Sequence, residues 1–236
     1  YDYFRGWSLN SNWKIDMRKR TLDKTINPSN GFTLNTNLNI EKNDFIDGLD
    51  FSDSGTLLES FKPNNLLRFQ FEGSYHHRLP RMDLFTLSIS TKIGWISDKN
   101  VDSFFHFYMG GMPGLRGYPY YAIHGTKSGM VDLTIRAPLF KEKHYKTKFM
   151  IFQNATIGAI YQFGDAWNND FLLKRSFGIQ LRLNGFSFYN FPTAIELEYH
   201  QPMNNFEMLI NNNQTEPYII EYGEKGRGYV KILFDF

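Results

Sequence analysis

Hydrophobic and polar residues alternate at every second position in segment after segment of this chain. Between 32 and 40, Phe32, Leu34, Leu38 and Ile40 share one parity with Thr36, while Thr33, Asn35, Asn37 and Asn39 hold the other. Leu67, Phe69, Phe71 and Tyr75 oppose Arg68, Gln70, Glu72, Ser74 and His76. Phe85, Leu87, Ile89, Ile93 and Trp95 oppose Thr86, Ser88, Ser90 and Lys92. After a long interruption, Val131, Leu133, Ile135 and Ala137 face away from Asp132, Thr134 and Arg136. Phe177, Ile179, Leu181 and Leu183 then oppose Ser176, Gln180, Arg182 and Asn184, and the chain closes on Val230, Ile232, Phe234 and Phe236. Residues 7–19, 147–163 and 192–203 alternate less cleanly, the last with Ile195, Leu197 and Tyr199 against Glu196 and Glu198. A period of two predicts strands with two unlike faces. Nine strands are predicted, several longer than the roughly 9–11 residues a tilted strand needs to cross a bilayer.

The connections predict orientation. Short ones fall near 21–29, where Asn27-Pro28 marks a turn, at 79–81 around Pro80, at 139–146 and at 186–191. Long ones span 46–65, 98–128 and 204–227, with 164–174 intermediate. Outer-membrane barrels carry short periplasmic turns and long external loops, so the pattern predicts an antiparallel transmembrane β-barrel in a bacterial outer membrane with its C-terminus in the periplasm. Nine strands put Tyr1 on the extracellular side. Bacterial single-chain barrels have an even strand number, and an open edge in hydrocarbon strands backbone groups at a cost of several kcal/mol each. Further strands are therefore expected upstream of Tyr1.

Composition agrees with that picture. Aromatic residues make up 17% of the chain, with 23 Phe and 14 Tyr, yet the mean hydropathy is −0.43. Apolar residues diluted one-for-one by Asn, Ser, Thr, Lys and Asp are what alternating lipid-facing and lumen-facing positions require. No run approaches the about 18–20 apolar residues of a membrane-spanning helix, which leaves a barrel untouched as a reading. The chain has no cysteine, so no disulfide framework or thiolate metal site. A net charge of +2 gives no pull toward nucleic acid. The start at Tyr1, with no Met and no signal peptide, reads as a mature or truncated piece.

The 98–128 segment contains Met109-Gly110-Gly111-Met112-Pro113-Gly114-Leu115-Arg116-Gly117-Tyr118. This resembles the glycine pair and (V/I/L)-R-G-(F/Y) tetrad that marks the sixth external loop of the BamA and two-partner-secretion superfamily, the bacterial surface antigen family. Five predicted strands follow the loop, as in that family. The resemblance implies that this chain is the C-terminal part of a 16-stranded barrel and that loop 98–128 folds back into the lumen. It further implies that Arg116 packs on the inner wall, flanked by Gly110, Gly111, Leu115, Gly117 and Tyr118. The family carries a second motif two strands on, an aromatic-Asp-x-Gly followed by Trp. Tyr161-Gln162-Phe163-Gly164-Asp165-Ala166-Trp167 aligns with it and keeps Gly164 and Trp167. Gln162 stands where the family has the aspartate that partners the loop arginine. Parity places Gln162 on the lumen side, where it can accept a hydrogen bond weaker than a charge-assisted pair. Asp165 has the opposite parity and is expected to point away from the lumen. The family's ion pair thus has no carboxylate at its usual place, while the loop-in-lumen geometry is kept. The alternating Val230, Ile232, Phe234 and Phe236 resemble the C-terminal signal by which bacterial barrels are recognised for assembly.

No catalytic constellation is visible. His76 and His77 have no nucleophile or carboxylate near enough in sequence to suggest a triad or dyad. Glu196 and Glu198 read as lumen lining. Asp44, Asp47, Asp50 and Asp53 recur every third residue in a predicted external loop but lack the pattern of a calcium loop, and read as a solvated acidic segment. Trp95, Trp167, Tyr118 and Tyr120 suit interfacial girdles or loop packing. The chain is thus expected to be no enzyme and to need no cofactor or metal. Its expected partners are the lipid bilayer, client polypeptides and periplasmic or lipoprotein accessory subunits. The resemblance implies outer-membrane protein insertion or polypeptide translocation. The alternative is a barrel that anchors or exports a fused upstream domain, such as a lipase-like or propeller domain. A simple diffusion pore is a third reading. From sequence, Arg116→Ala is expected to impair function or stability more than Arg182→Ala on a lumen strand.

Overall fold

The computed structural model describes residues 4–21, 26–52, 55, 57–80, 85–140, 144–188, 191–212 and 215–235. In chain order the strands are β1 (Phe4–Asp16), β2 (Gly31–Phe51), β3 (Leu57–Arg78), β4 (Thr86–Ile96), β5 (Phe107–Tyr108), β6 (His124–Gly125) and β7 (Lys127–Phe140). They continue as β8 (Tyr145–Lys146), β9 (Met150–Trp167), β10 (Lys174–Ser187), β11 (Phe191–Pro202), β12 (Phe206–Asn212), β13 (Thr215–Tyr222) and β14 (Arg227–Phe234). One antiparallel sheet runs β1-β2-β3-β4-β7-β9-β10-β11-β14, with the short β8 added beside β9. These nine are the strands that alternation predicts. Among the described residues β1 pairs only with β2 and β14 only with β11, so the sheet has two edges.

The sheet is inside-out relative to a water-soluble core. On β10 and β11 the buried side chains include Ser176, Gln180, Arg182, Asn184, Glu196, Glu198 and His200, while Phe177, Ile179, Leu197 and Tyr199 are exposed. On β14, Val230 is 70% and Ile232 60% exposed. Charged residues are almost never fully buried in water-soluble proteins unless paired, and a continuous apolar outer face in water would drive association. The arrangement is stable where the outside is hydrocarbon and the inside polar.

Two predicted loops are largely strands instead, and a third is shorter than predicted. Residues 46–65 are mostly the upper parts of β2 and β3, 21 and 22 residues long, which pair from Gly31↔His76 up to Phe51↔Leu57 with one irregularity at Ile46/Gly48. Asp44, Asp47 and Asp50 accordingly lie in β2, and Asp53 lies outside the described residues. Alternation fades here, with Phe45-Ile46 and Leu57-Leu58 breaking the period of two, yet the strand pairing runs on. Most of 204–227 is the β12–β13 hairpin, separate from the main sheet. Within 164–174, β9 runs on to Trp167 and β10 begins at Lys174. The tip of the Pro80 turn and Phe236 lie outside the described residues.

Candidate functional site

Between β4 and β7 the chain leaves the sheet and folds on itself. Asp102 caps a short 3-10 turn, Ser103–Phe105, by accepting from the Phe104 N–H at 2.8 Å. β5 and β6 then form a two-residue ladder. Beyond it the Met109 N–H donates to the Ile123 carbonyl at 2.8 Å, and the Gly111 N–H to the Tyr118 carbonyl at 2.8 Å. Gly111 has φ +68°, a left-handed conformation that glycine adopts without penalty. This closes a compact turn that presents Leu115, Arg116, Gly117 and Tyr118 to the wall.

Two apolar clusters fix the loop. Val101, Phe105 and Phe107 pack with Leu66 of β3, Ile96 of β4 and the partly buried Phe45. Met109, Leu115, Tyr118, Ala122 and Ile123 pack with Met130 of β7 and Ala166 of β9, and Phe206 and Tyr222 of the β12–β13 hairpin close over them. Leu115 and Tyr118 are fully buried, and the Tyr118 hydroxyl lies 2.9 Å from the carbonyls of both Arg175 and Asn204. Gly117 sits so close to the wall that a Cβ would fall 2.8 Å from the Ser176 Cβ and 3.0 Å from the Pro202 nitrogen. Any larger residue would push the loop off its seat.

Arg116 is held by four strands. Its guanidinium donates to Glu198 of β11 at 3.2 and 3.3 Å and to Asp132 of β7 at 3.2 Å. Its backbone N–H donates to Gln162 of β9 at 2.9 Å, and its carbonyl accepts from the Tyr229 hydroxyl of β14 at 2.8 Å. Gln162 is fully buried and uses the whole capacity of its amide. Oε1 accepts from the Arg116 N–H and from the Ser176 hydroxyl at 3.0 Å, and Nε2 donates to the Gly114 carbonyl at 3.1 Å and to Asp132 at 2.8 Å. Asp132 and Gln162 are direct cross-strand partners. The arginine therefore has its carboxylates, Asp132 and Glu198, on strands either side of the one where the family motif would place it. A carboxylate at 162 could not donate to Gly114 and would face Asp132 as a like charge.

Asp165 has the parity of Phe163 and Trp167 in β9 and is 1% exposed. Its carboxylate does not meet Arg116. It binds the Lys174 ammonium at 2.5 Å and accepts from the N–H groups of Ala166 and Leu172, which closes the β9–β10 connection. Gly164 packs against β7, where a Cβ would fall 2.3 Å from the Gly129 carbonyl oxygen, and Trp167 stacks edge-on against Phe171. Gly110 lies under the Pro119 carbonyl. Tyr120 stacks on Tyr108 within the loop, and Trp95 is part exposed on β4.

The network continues below Arg116. Lys231 of β14 donates to Glu198 at 2.8 Å and to Glu196 at 3.0 Å. Arg182 of β10 binds Glu196 through Nε at 2.6 Å and through a second nitrogen, and reaches the Ile26 carbonyl at 2.6 Å and the Asn27 side chain at 3.1 Å. A continuous polar chain thus links the lumen loop, the last strand and the β1–β2 turn. Sequence reasoning placed Asp132, Arg182, Glu196 and Glu198 on polar faces without finding these pairings. The signal was their shared parity on neighbouring strands, which becomes pairing only once register is known. His76 contacts Ser88 and Ser74 hydroxyls at 2.8 and 3.2 Å. Among the described residues no group of three or more His, Asp or Glu is arranged to hold a metal.

A family model described as the Omp85 superfamily domain matches residues 2–185. No curated protein and no solved structure matches the chain.

Proposed function

The chain belongs to the Omp85 superfamily, whose members insert or translocate polypeptides at the outer membrane, and from that premise we propose that this barrel segment assembles client outer-membrane proteins with its lumen loop as a fixed plug. The supporting observation is the seat of Arg116, whose side chain and backbone draw on β7, β9, β11 and β14 at once. Such a seat ties the plug to the last strand: Lys231 of β14 shares Glu198 with Arg116, and the Tyr229 hydroxyl of β14 donates to the Arg116 carbonyl. Among the described residues β14 is paired as a strand only with β11, and a strand at the end of a sheet is a template for a client strand to add to. The short connections that follow β3 and β10 in the sequence face the periplasm in this reading, which puts the C-terminus there with any accessory subunits, and the chemistry is binding and templating rather than catalysis.

The test is reconstitution of the full-length protein in liposomes with an unfolded client barrel. Folding of the client, followed by its heat-modifiable gel shift, should be faster than in empty liposomes. Ion conductance should be low and rise when residues 110–120 are deleted. Client folding no faster than in empty liposomes would overturn the proposal, and high conductance in the intact protein would favour a diffusion pore.

A further inference from the structure

The lumen has a second polar feature at the end away from the loop. Beneath the β1–β2 turn lies a cavity of about 160 Å³, about five times the share of liquid volume a water occupies. Lys19, Arg78 and Arg136 line it together with Asn154, Thr156 and Asn184, and among the described residues no carboxylate does. A neighbouring cavity of about 390 Å³ shares Asn154 and Asn184 and continues past Ile26, Phe186 and Pro192.

Arg136 gives the cavity its chemistry. Arg116, Arg182 and Lys231 each sit on a carboxylate of Asp132, Glu196 or Glu198. Arg136 instead donates Nε to the neutral Gln180 side chain at 2.8 Å, and this is its one hydrogen-bond partner among the described residues. The second unmatched group is the Thr156 hydroxyl. Thr156 is 7% exposed, lines the same cavity, and its oxygen has no hydrogen-bond partner. Buried charges are ordinarily paired and buried hydroxyls bonded. A guanidinium fork and an unused hydroxyl beside a void together supply the donors that one oxyanion accepts.

We propose that this cavity is an oxyanion site that takes a phosphate group against Arg136, Arg78 and Thr156, with Lys19 at its rim. The phosphate comes either free or as the headgroup of an amphiphile whose apolar part occupies the neighbouring cavity along Ile26, Phe186 and Pro192. The site does not depend on the client-handling reading, since every group in it lies on the wall or the β1–β2 turn.

Isothermal titration of the full-length protein in a phosphate-free, non-ionic detergent buffer tests it, with inorganic phosphate in one arm and dihexanoyl phosphatidic acid in the other. Saturable binding is expected in at least one arm. Arg136→Gln should weaken it by about tenfold or more, the loss of a charge-assisted bond, and Thr156→Val by about threefold, that of a neutral one. Arg5→Gln, an equal charge change at the far end of β1, should shift Kd less than twofold. Lipid binding more than tenfold tighter than phosphate identifies a headgroup, and equal affinities identify free phosphate. No saturable binding in either arm overturns the site, as does an equal loss in Arg136→Gln and Arg5→Gln. Folding of each variant is read from its heat-modifiable gel shift. Should Arg136→Gln fail to assemble, Thr156→Val decides: an unchanged Kd overturns the site and a weakened one supports it.

Discussion

Arg116 and Arg182 occupy the same lumen and bind neighbouring glutamates of the same strand, yet they approach them from opposite directions. Arg116 rides on a loop and reaches the wall at Glu198 and Asp132. Arg182 belongs to the wall, binds Glu196, and reaches outward to hold the β1–β2 turn through Ile26 and Asn27. Lys231 joins the two by donating to both glutamates. The difference lies in burial and in what remains when each is removed. The Arg182 side chain is 5% exposed and that of Arg116 19%. Without Arg116, Glu198 keeps Lys231, Gln180 and His200, and Asp132 keeps Gln162 and Thr134. Without Arg182, Glu196 retains Lys231, and Arg182's hydrogen bonds to the β1–β2 turn are lost. A sequence motif marks the first arginine and nothing in the sequence marks the second.

The largest expected effect follows from that contrast. Arg182→Ala should lower barrel stability by about 3–5 kcal/mol, the cost of breaking a buried ion pair, and Arg116→Ala by about 1.5–3 kcal/mol, that of charged hydrogen bonds in a less enclosed site. Urea unfolding in lipid, followed by tryptophan fluorescence, measures both. Conductance should order them the other way, rising more in Arg116→Ala because the loop is freed. The ranking drawn from sequence, with Arg116 foremost, is thus expected to hold for the pore and to reverse for stability. Equal stability losses in the two variants would erase the distinction.

A middle-sized effect concerns the wall beneath Arg116. Gln162→Glu should cost about 1–3 kcal/mol, because it removes the donor to Gly114 and sets a second carboxylate against Asp132. Adding Asp132→Asn should recover more than half of that loss in a double-mutant cycle, since the two residues are cross-strand partners. Strict additivity would mean that the pair does not share its charge.

The smallest effect is on the loop itself. His106 and His124 stack with their Nδ1 atoms 3.0 Å apart. Burial lowers both pKa values below the usual 6.5, and at His124 the neighbouring His106 adds to it. The undocked loop therefore binds more protons than the docked one below about pH 6.5. Docking should be pH-independent above that value and weaken as pH falls toward the lowered pKa values. Amide exchange at Met109 and Gly111 between pH 7.5 and 5 should show the loss, and His124→Phe should reduce it. Exchange protection that stays level down to pH 5 would remove the histidines from the account.

Alternation in the sequence determined the nine strands, their facing and the place where the chain departs from the sheet. A period of two is imposed by the backbone itself, so every lipid-facing Ile, Leu or Phe records its strand locally. Gln162 was legible as a lumen residue for the same reason. Where that local contrast vanishes, in the upper β2–β3 hairpin and in β12–β13, the strands were not legible, because adjacent apolar residues such as Phe45-Ile46, Leu57-Leu58 and Ile219-Ile220 break the period of two. The bond of Gln162 to Arg116 was legible too, but the carboxylate partners of Arg116 were not, nor were the partners of Asp165 or of Arg182. Parity states which way a side chain points, whereas a salt bridge depends on which residue of another strand stands level with it. Contacts between groups as far apart in the chain as Arg116 and Glu198, or Arg182 and Ile26, are fixed only when the whole sheet assembles in register.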